Sequence, residues 1–181
     1  MRFRSGLLIG TFGLIVVLVG GWVFTLATAL LTYLALLEFF RMAEFKGIKP
    51  ATKTTLFSCF FIIVSTYLET IGLLEGEISN SILPICSVGI CTWLLLQPKS
   101  GTISDIAASI FGLFYLGFLP SYWIKLRGLE SVIINKNQGF ISFENLTNTT
   151  GLNLTLTSCF LIVASDIGSY FIGKLFGKRS L

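Results

Sequence analysis

The sequence predicts an all-α protein with one membrane domain, residues 1–181, built as a polytopic bundle of about six transmembrane helices. Of its 181 residues, 54% are hydrophobic and only 12% are charged, about half the charged fraction of a soluble domain. The mean hydropathy is +0.85, so most of the chain is expected to contact lipid. The absence of His excludes His-based acid–base catalysis, His metal ligation and His pH sensing.

The first two helices are predicted from one long uncharged stretch. No charged residue occurs from residue 5 to residue 37, and as a single helix this stretch would measure about 50 Å, well beyond the ~30 Å hydrocarbon core. A break at Gly20-Gly21 is therefore expected, because each glycine weakens a helix interior by about 1 kcal/mol. The second helix should end at Gly47, shortly before Pro50.

The gaps between the remaining charged residues predict four further spans. Glu69 lies near the end of the third span, and Asp105 lies at the start of the fifth, where a carboxylate favours the helix dipole. A polar stretch rich in Asn and Thr, residues 128–151, precedes the last span. The six predicted spans are residues 6–19, 22–45, 54–73, 79–97, 103–124 and 152–176.

The distribution of Lys and Arg predicts the topology. Three bases lie on one side of the membrane: Lys125, Arg127 and Lys136. The positive-inside rule makes the other side, which also carries both termini, cytoplasmic. Lys125 and Arg127 are then expected to snorkel at the far interface. The ten bases on the cytoplasmic side are Arg2, Arg4, Arg41, Lys46, Lys49, Lys53, Lys99, Lys174, Lys178 and Arg179.

Two charged segments have alternative interpretations. Glu38 and Arg41 are three residues apart on one helix, so they can pair with each other, or Glu38 can face a polar cavity inside the bundle. The basic segment 41–53 can fix the topology or bind anionic headgroups. The four cysteines lie inside apolar spans without metal-ligand spacing and are interpreted as packing residues.

The last span carries the residues that best indicate a functional site. Asp166 follows an unbroken apolar helix, where a carboxylate at bilayer depth costs about 2.5–3.5 kcal/mol and usually has a function. Asp166, Tyr170, Gly173 and Gly177 lie on one helix face, at offsets of 0, 4, 7 and 11 residues. The two glycines would let another helix or a ligand approach the backbone closely.

A carboxylate, a smooth glycine face and a basic helix end together suit a metal–phosphate site. Asp166 would hold Mg²⁺, and Lys174, Lys178 and Arg179 would hold phosphate oxygens. Alternatively, this is a packing helix with topology-fixing bases, in which Asp166 pairs with a Lys of a neighbouring helix. The spacing alone leaves both interpretations open.

Three stretches resemble one protein family, and they occur in the family's order. Residues 164–178, ASDIGSYFIGKLFGK, resemble the D-x-x-A-Y-x-x-G-x-x-x-G-K segment of the phosphatidate cytidylyltransferases, also called CDP-diacylglycerol synthases. Residues 36–42, LLEFFRM, resemble the L-x-E-[FY]-x-R segment of that family. Residues 112–117, GLFYLG, are similar to its G-x-x-Y-x-G span.

The resemblance implies transfer of CMP from CTP to phosphatidate, with Mg²⁺, at the cytoplasmic face of a bacterial inner membrane or a plastid-type membrane. By position, Asp166 would be a metal-binding carboxylate, whereas phosphate contacts by Lys178 or Arg179 are inferred from charge. The expected partners are CTP, phosphatidate and the lipid bilayer. No nucleic acid is expected, and packing through the glycine face would allow a homodimer.

The resemblance also implies motifs that do not occur before Leu181, namely S-x-x-K-R, K-D, H-G-G and D-R-x-D. We therefore expect the chain to be the N-terminal portion of such an enzyme, with little or no activity by itself. Two alternatives remain. One is a non-enzymatic small membrane subunit of a transporter or assembly complex, and the other is a related CTP-dependent polyprenol or phytol kinase.

Overall fold

A computed structural model describes residues 2–74, 76, 78–97, 101–129 and 150–176, with side chains from residue 10 to residue 174 of these ranges. Every regular element in this part of the chain is a helix, as predicted. A π-helix separates α5 from α6, so that residues 103–127 form one continuous helical segment. The helices are α1 (Arg2–Val19), α2 (Gly21–Phe45), α3 (Thr52–Thr70), α4 (Ile78–Leu95), α5 (Ile103–Phe111), the π-helix (Gly112–Phe118), α6 (Leu119–Arg127) and α7 (Thr150–Phe176).

Four helical segments are long and apolar enough to cross a membrane: Gly21–Phe45, Ile78–Leu95, Ile103–Arg127 and Thr150–Lys174. Among the described residues, α1 adds a shorter apolar stretch, Gly10–Val19. These segments confirm the predicted helical membrane bundle, and the number of crossings stays a prediction. The helix α3 is less apolar, since it contains several buried hydroxyl side chains. These lie inside the bundle, where α3 packs against α2, α4, α6 and the π-helix.

The predicted break between the first two helices is confirmed. Gly20 and Gly21 have φ angles of 65° and 53°, a left-handed conformation that side chains disfavour. Gly20 also packs tightly, since a Cβ there would lie 2.7 Å from Nη2 of Arg127. The backbone conformation therefore favours glycine at residue 20, and a larger side chain there would also displace the Arg127 guanidinium.

The main core joins α2, α3, α4 and the π-helix. Two of its members, Phe40 and Ile62, are almost fully buried, and large apolar side chains elsewhere on the same helices are exposed. Such an arrangement suits a bundle whose outer surface contacts lipid. The buried core residues are Leu36, Phe40, Ala51, Cys59, Ile62, Ile90, Leu94, Leu113 and Phe118.

A π-helix lies in the middle of the 103–127 segment, where the sequence predicts a regular helix. Its glycines allow close approach on two sides. A Cβ on Gly112 would lie 2.9 Å from Cζ of Phe40 in α2, and a Cβ on Gly117 would overlap Sγ of Cys59 in α3. The segment therefore packs closely against the side chains of both helices.

One end of the bundle, which we call the Asp105 end, is fastened by buried side chains of α5. Asp105 accepts hydrogen bonds from the backbone N–H groups of Lys49 (2.7 Å), Thr102 (3.0 Å) and Gly101 (3.1 Å). Ser109 Oγ accepts one from the N–H of Ala51 at 2.9 Å. The predicted capping role of Asp105 is confirmed, because it forms a capping box with Thr102. Its bond to the α2–α3 loop was not predicted.

The opposite end, which we call the Glu69 end, corrects the prediction that Arg127 snorkels and gives Lys125 a partner that the sequence did not predict. Lys125 Nζ lies 3.2 Å from Oε2 of Glu69, which also accepts a hydrogen bond from Ser79 Oγ at 3.0 Å. Arg127 is buried and donates to the carbonyl oxygens of Val17 (2.9 Å) and Leu18 (3.2 Å). Both bases bond inside the bundle because carboxylate and carbonyl acceptors lie within reach there.

Contacts at the two ends show that successive segments alternate in direction. Gly151 lies against the backbone of Leu126 and Arg127, so α7 begins at the Glu69 end. The loop between α2 and α3 lies at the Asp105 end, where it is bonded to α5. Thus α2 and α7 both run from the Glu69 end toward the Asp105 end.

We expect Gly117→Ala to lower the free energy of unfolding by about 1–3 kcal/mol, because its methyl group would overlap Sγ of Cys59. Thermal unfolding in detergent, followed by circular dichroism, measures the effect. Gly89→Ala is the matched control, since a Cβ on this α4 glycine has no atom within 4 Å. Equal unfolding temperatures for the two variants would contradict the proposed close contact.

We expect Asp105→Ala to lower the free energy of unfolding by about 2 kcal/mol, because three backbone N–H groups would lose their acceptor. The same unfolding assay measures it. Ser104→Ala, in the same helical turn and exposed, serves as the control and should change little. A loss of unfolding free energy no larger than that of the control would contradict the prediction. It would show that water satisfies the three N–H groups as well as the carboxylate does.

Candidate functional site

Asp166 lies on the part of α7 that leaves the bundle. The helix packs mainly against α6 and α1, and its buried residues, Gly151, Leu152 and Thr155, all lie near its start. Asp166 comes 16 residues after Thr150, about 24 Å along the helix, and its side chain is exposed. Among the described residues no cation pairs with its carboxylate.

The face of α7 that carries Asp166 is the face that packs at the start of the helix. Thr155 and Cys159 are followed on the same face by Asp166, Tyr170 and Gly173, at spacings of three, four or seven residues. Asp166 thus lies on the face of α7 that packs against the bundle, but beyond the part of the helix that other helices contact. A Cβ on Gly173 would meet no atom within 4 Å, so the described part of the chain places no helix against this glycine.

Three of the predicted site residues, Gly177, Lys178 and Arg179, lie outside the described residues. Their predicted packing and phosphate contacts stay predictions. Lys174 lies within the described helix and is exposed. It is the basic residue in the last turn of α7.

A groove with an almost entirely apolar lining opens between α2, α6 and α7. Its volume is about 380 Å³, and its walls include Phe24, Thr28 and Ala35 of α2, Trp123 of α6 and Cys159 of α7. Cys159 lies two helical turns before Asp166 and on the same face. Asp166 itself does not line the groove and lies about 10 Å further along α7.

A second carboxylate, Glu38 of α2, lies about as far along its helix as Asp166 lies along α7. Glu38 follows Gly21 by 17 residues, about 25 Å along a helix that starts at the same end as α7. Its side chain is exposed and the structure shows no ion pair between it and Arg41, although both residues are described, so the predicted pairing is wrong. The sequence could have indicated this similarity, because each acid follows the start of its helix by 16 or 17 residues.

The geometry combines an exposed carboxylate at each of two helices with an apolar groove that opens between those helices. A carboxylate can hold a hard cation through oxygen, and an apolar groove inside a membrane bundle can hold a hydrocarbon chain. The described residues contain no group of three or more His, Cys, Asp or Glu side chains that could hold a metal. Any cation would therefore take most of its ligands from water or from a bound phosphate.

Comparison with known proteins gives one family. The model of the cytidylyltransferase family matches residues 1–181. Phosphatidate cytidylyltransferase of Synechocystis sp. is 38% identical over 172 residues, which cover 91% of this chain and 57% of that protein. Chloroplastic phosphatidate cytidylyltransferase 5 of Arabidopsis thaliana is 35% identical over 92% of this chain and 43% of its own length.

A more distant relative, phosphatidate cytidylyltransferase of Bacillus subtilis, is 26% identical over 99% of this chain and 60% of its own length. No solved structure matches significantly. The chain spans about half the length of the curated relatives it matches, and these relatives do not favour the subunit or kinase alternatives. The family match along all 181 residues confirms the resemblance seen in three short stretches: the chain belongs to the cytidylyltransferase family.

Proposed function

We propose that this chain serves the transfer of CMP from CTP to phosphatidate, which gives CDP-diacylglycerol and pyrophosphate. The observation that carries this proposal is an apolar groove whose α7 wall, Cys159, lies two helical turns before the exposed carboxylate of Asp166. A phospholipid has the matching chemistry, with a phosphate at one end and acyl chains at the other. The names of the relatives support the same reaction.

The groove is the proposed site for an acyl chain of the lipid substrate. Its lining is apolar apart from Thr28 and Thr32, and Thr28 uses its hydroxyl within α2 by donating to the carbonyl of Phe24 at 2.9 Å. The groove therefore offers a hydrocarbon chain few unsatisfied polar groups. A chain in it would place the lipid phosphate toward the level of Asp166 and Glu38.

Mg²⁺ is the proposed cation at Asp166. In phosphate sites Mg²⁺ usually keeps several waters and uses one or two carboxylates together with substrate phosphates. The described residues fit this pattern because they offer the exposed carboxylate of Asp166 and, at a similar distance along α2, that of Glu38. The ion would neutralise charge on the phosphates, and we propose that Lys178 and Arg179 contact the same phosphates.

The proposed location is a multi-pass membrane protein of a bacterial inner or plastid-type membrane, with both termini cytoplasmic. Ten predicted cytoplasmic bases against three support this orientation. A homodimer through the Tyr170, Gly173 and Gly177 face is proposed as well, since small residues favour helix contact in membranes.

We expect Asp166→Asn to lower the rate of CDP-diacylglycerol formation about a hundredfold, because the isosteric amide lacks the charge that attracts a cation. The assay uses a chimera in which residues 1–181 replace the matched segment of the Synechocystis relative, with CTP and phosphatidate as substrates. Glu38→Gln tests the second carboxylate in the same way. Ser165→Ala, an exposed neighbour on another face, is the control.

Two outcomes of this assay would count against the proposal. A folded wild-type chimera without activity would show that this segment does not serve the reaction. An Asp166→Asn chimera as active as the Ser165→Ala control would remove Asp166 from the site while leaving the family assignment untouched.

We expect residues 46 and 73 to lie on opposite sides of the membrane, because the Asp105 end carries the bases. The four native cysteines are first replaced by Ala, and Lys46→Cys and Leu73→Cys, both exposed positions, are then labelled separately in intact cells with an impermeant maleimide. Cys at 73 should be labelled, and Cys at 46 only after permeabilisation. The reverse pattern would overturn the proposed orientation.

A further inference from the structure

The loop between α2 and α3 has a fixed backbone and free basic side chains. The N–H of Lys49 donates to Asp105, and the N–H of Ala51 donates to Ser109. Both acceptor side chains are buried, with 4% and 0% of their surface exposed. The loop is therefore fastened to α5 through its main chain, and its side chains take no part in that attachment.

The bases of this loop and its flanking turns point away from the bundle. Arg41, Lys46, Lys49 and Lys53 are exposed, and within the part of the chain that the structure describes none of them forms an ion pair. The single acid between them, Glu44, receives only a long hydrogen bond of 3.5 Å from Thr52. The segment thus presents three net positive charges to its surroundings.

Apolar side chains project beside these bases. Ile103 and Phe45 are 88% and 84% exposed, the highest values among the large hydrophobic side chains described. Phe45 directly precedes Lys46, and Ile103 lies two residues before Asp105, so both are at the Asp105 end. Apolar and basic side chains together at a helix end are typical of a surface that sits at the headgroup boundary of a bilayer.

We propose that this surface, the basic platform, binds the phosphate groups of anionic phospholipids in the surrounding leaflet, apart from the transfer site at Asp166. The basic platform consists of Arg41, Phe45, Lys46, Lys49, Lys53 and Ile103. Phe45 and Ile103 insert below the headgroups, and the four bases meet lipid phosphates, each worth about fivefold in affinity. Because the loop backbone is already fixed, lipid binding orders little additional chain.

The test counts lipids bound to the purified 181-residue chain by native mass spectrometry, in micelles with equal phosphatidylglycerol and phosphatidylcholine and without CTP. The wild-type chain should prefer phosphatidylglycerol at least tenfold. The K46Q/K49Q/K53Q variant should lose most of this preference, while the K46R/K49R/K53R variant should keep it. Circular dichroism checks that both variants retain the helical fold, and Lys136→Gln, at a base predicted for the opposite side of the membrane, controls for loss of charge elsewhere.

Several results would overturn the proposal. These are a wild-type chain without preference, a triple glutamine variant that keeps the preference, or a Lys136→Gln variant that loses it as fully. Displacement of the lipid by millimolar inorganic phosphate, but not by KCl of equal ionic strength, would identify a site for free phosphate instead. Since the measurement uses no CTP and no turnover, its result is independent of the proposed reaction.

Discussion

Side chains from distant helices satisfy the backbone groups at the helix ends of this bundle. Asp105 and Ser109 accept from the loop between α2 and α3, Glu69 accepts from the first turn of α4 at Ser79, and Arg127 donates to the last carbonyls of α1. In a bilayer, an unsatisfied backbone group costs several kcal/mol. The positions of the helices therefore depend on a few polar side chains placed at the two ends.

The 103–127 segment supplies most of these side chains. It carries Asp105 and Ser109 at one end and Lys125 and Arg127 at the other, and its glycines approach α2 and α3 between them. In contrast, α7 is held only near its start. A helix with few buried contacts opens at low free energy, so the part of α7 that carries Asp166 can adjust to a ligand without disturbing the core.

Local sequence patterns predicted the helices but not the contacts between their ends. The length of the uncharged stretch and the low helix propensity of glycine predicted the break at Gly20. The capping role of Asp105 follows from residues within one helical turn. The bonds from Lys49 to Asp105 and from Arg127 to Val17 join residues 56 and 110 positions apart, a separation that no local pattern encodes. The Glu38–Arg41 pair failed because an exposed pair three residues apart gains only about 0.2–0.5 kcal/mol, too little to overcome side-chain entropy.

The charges toward the Asp105 end explain how an anionic lipid can approach the carboxylates of Asp166 and Glu38. The carboxylates of Asp166 and Glu38 alone would repel a phosphate, at about 1 kcal/mol for two charges 4 Å apart in water and more in a less polar medium. The exposed bases of the 41–53 segment lie toward the same end and attract it. A divalent cation between carboxylate and phosphate, as we propose, turns the remaining repulsion into attraction. This effect is confined to the positions of the two acids.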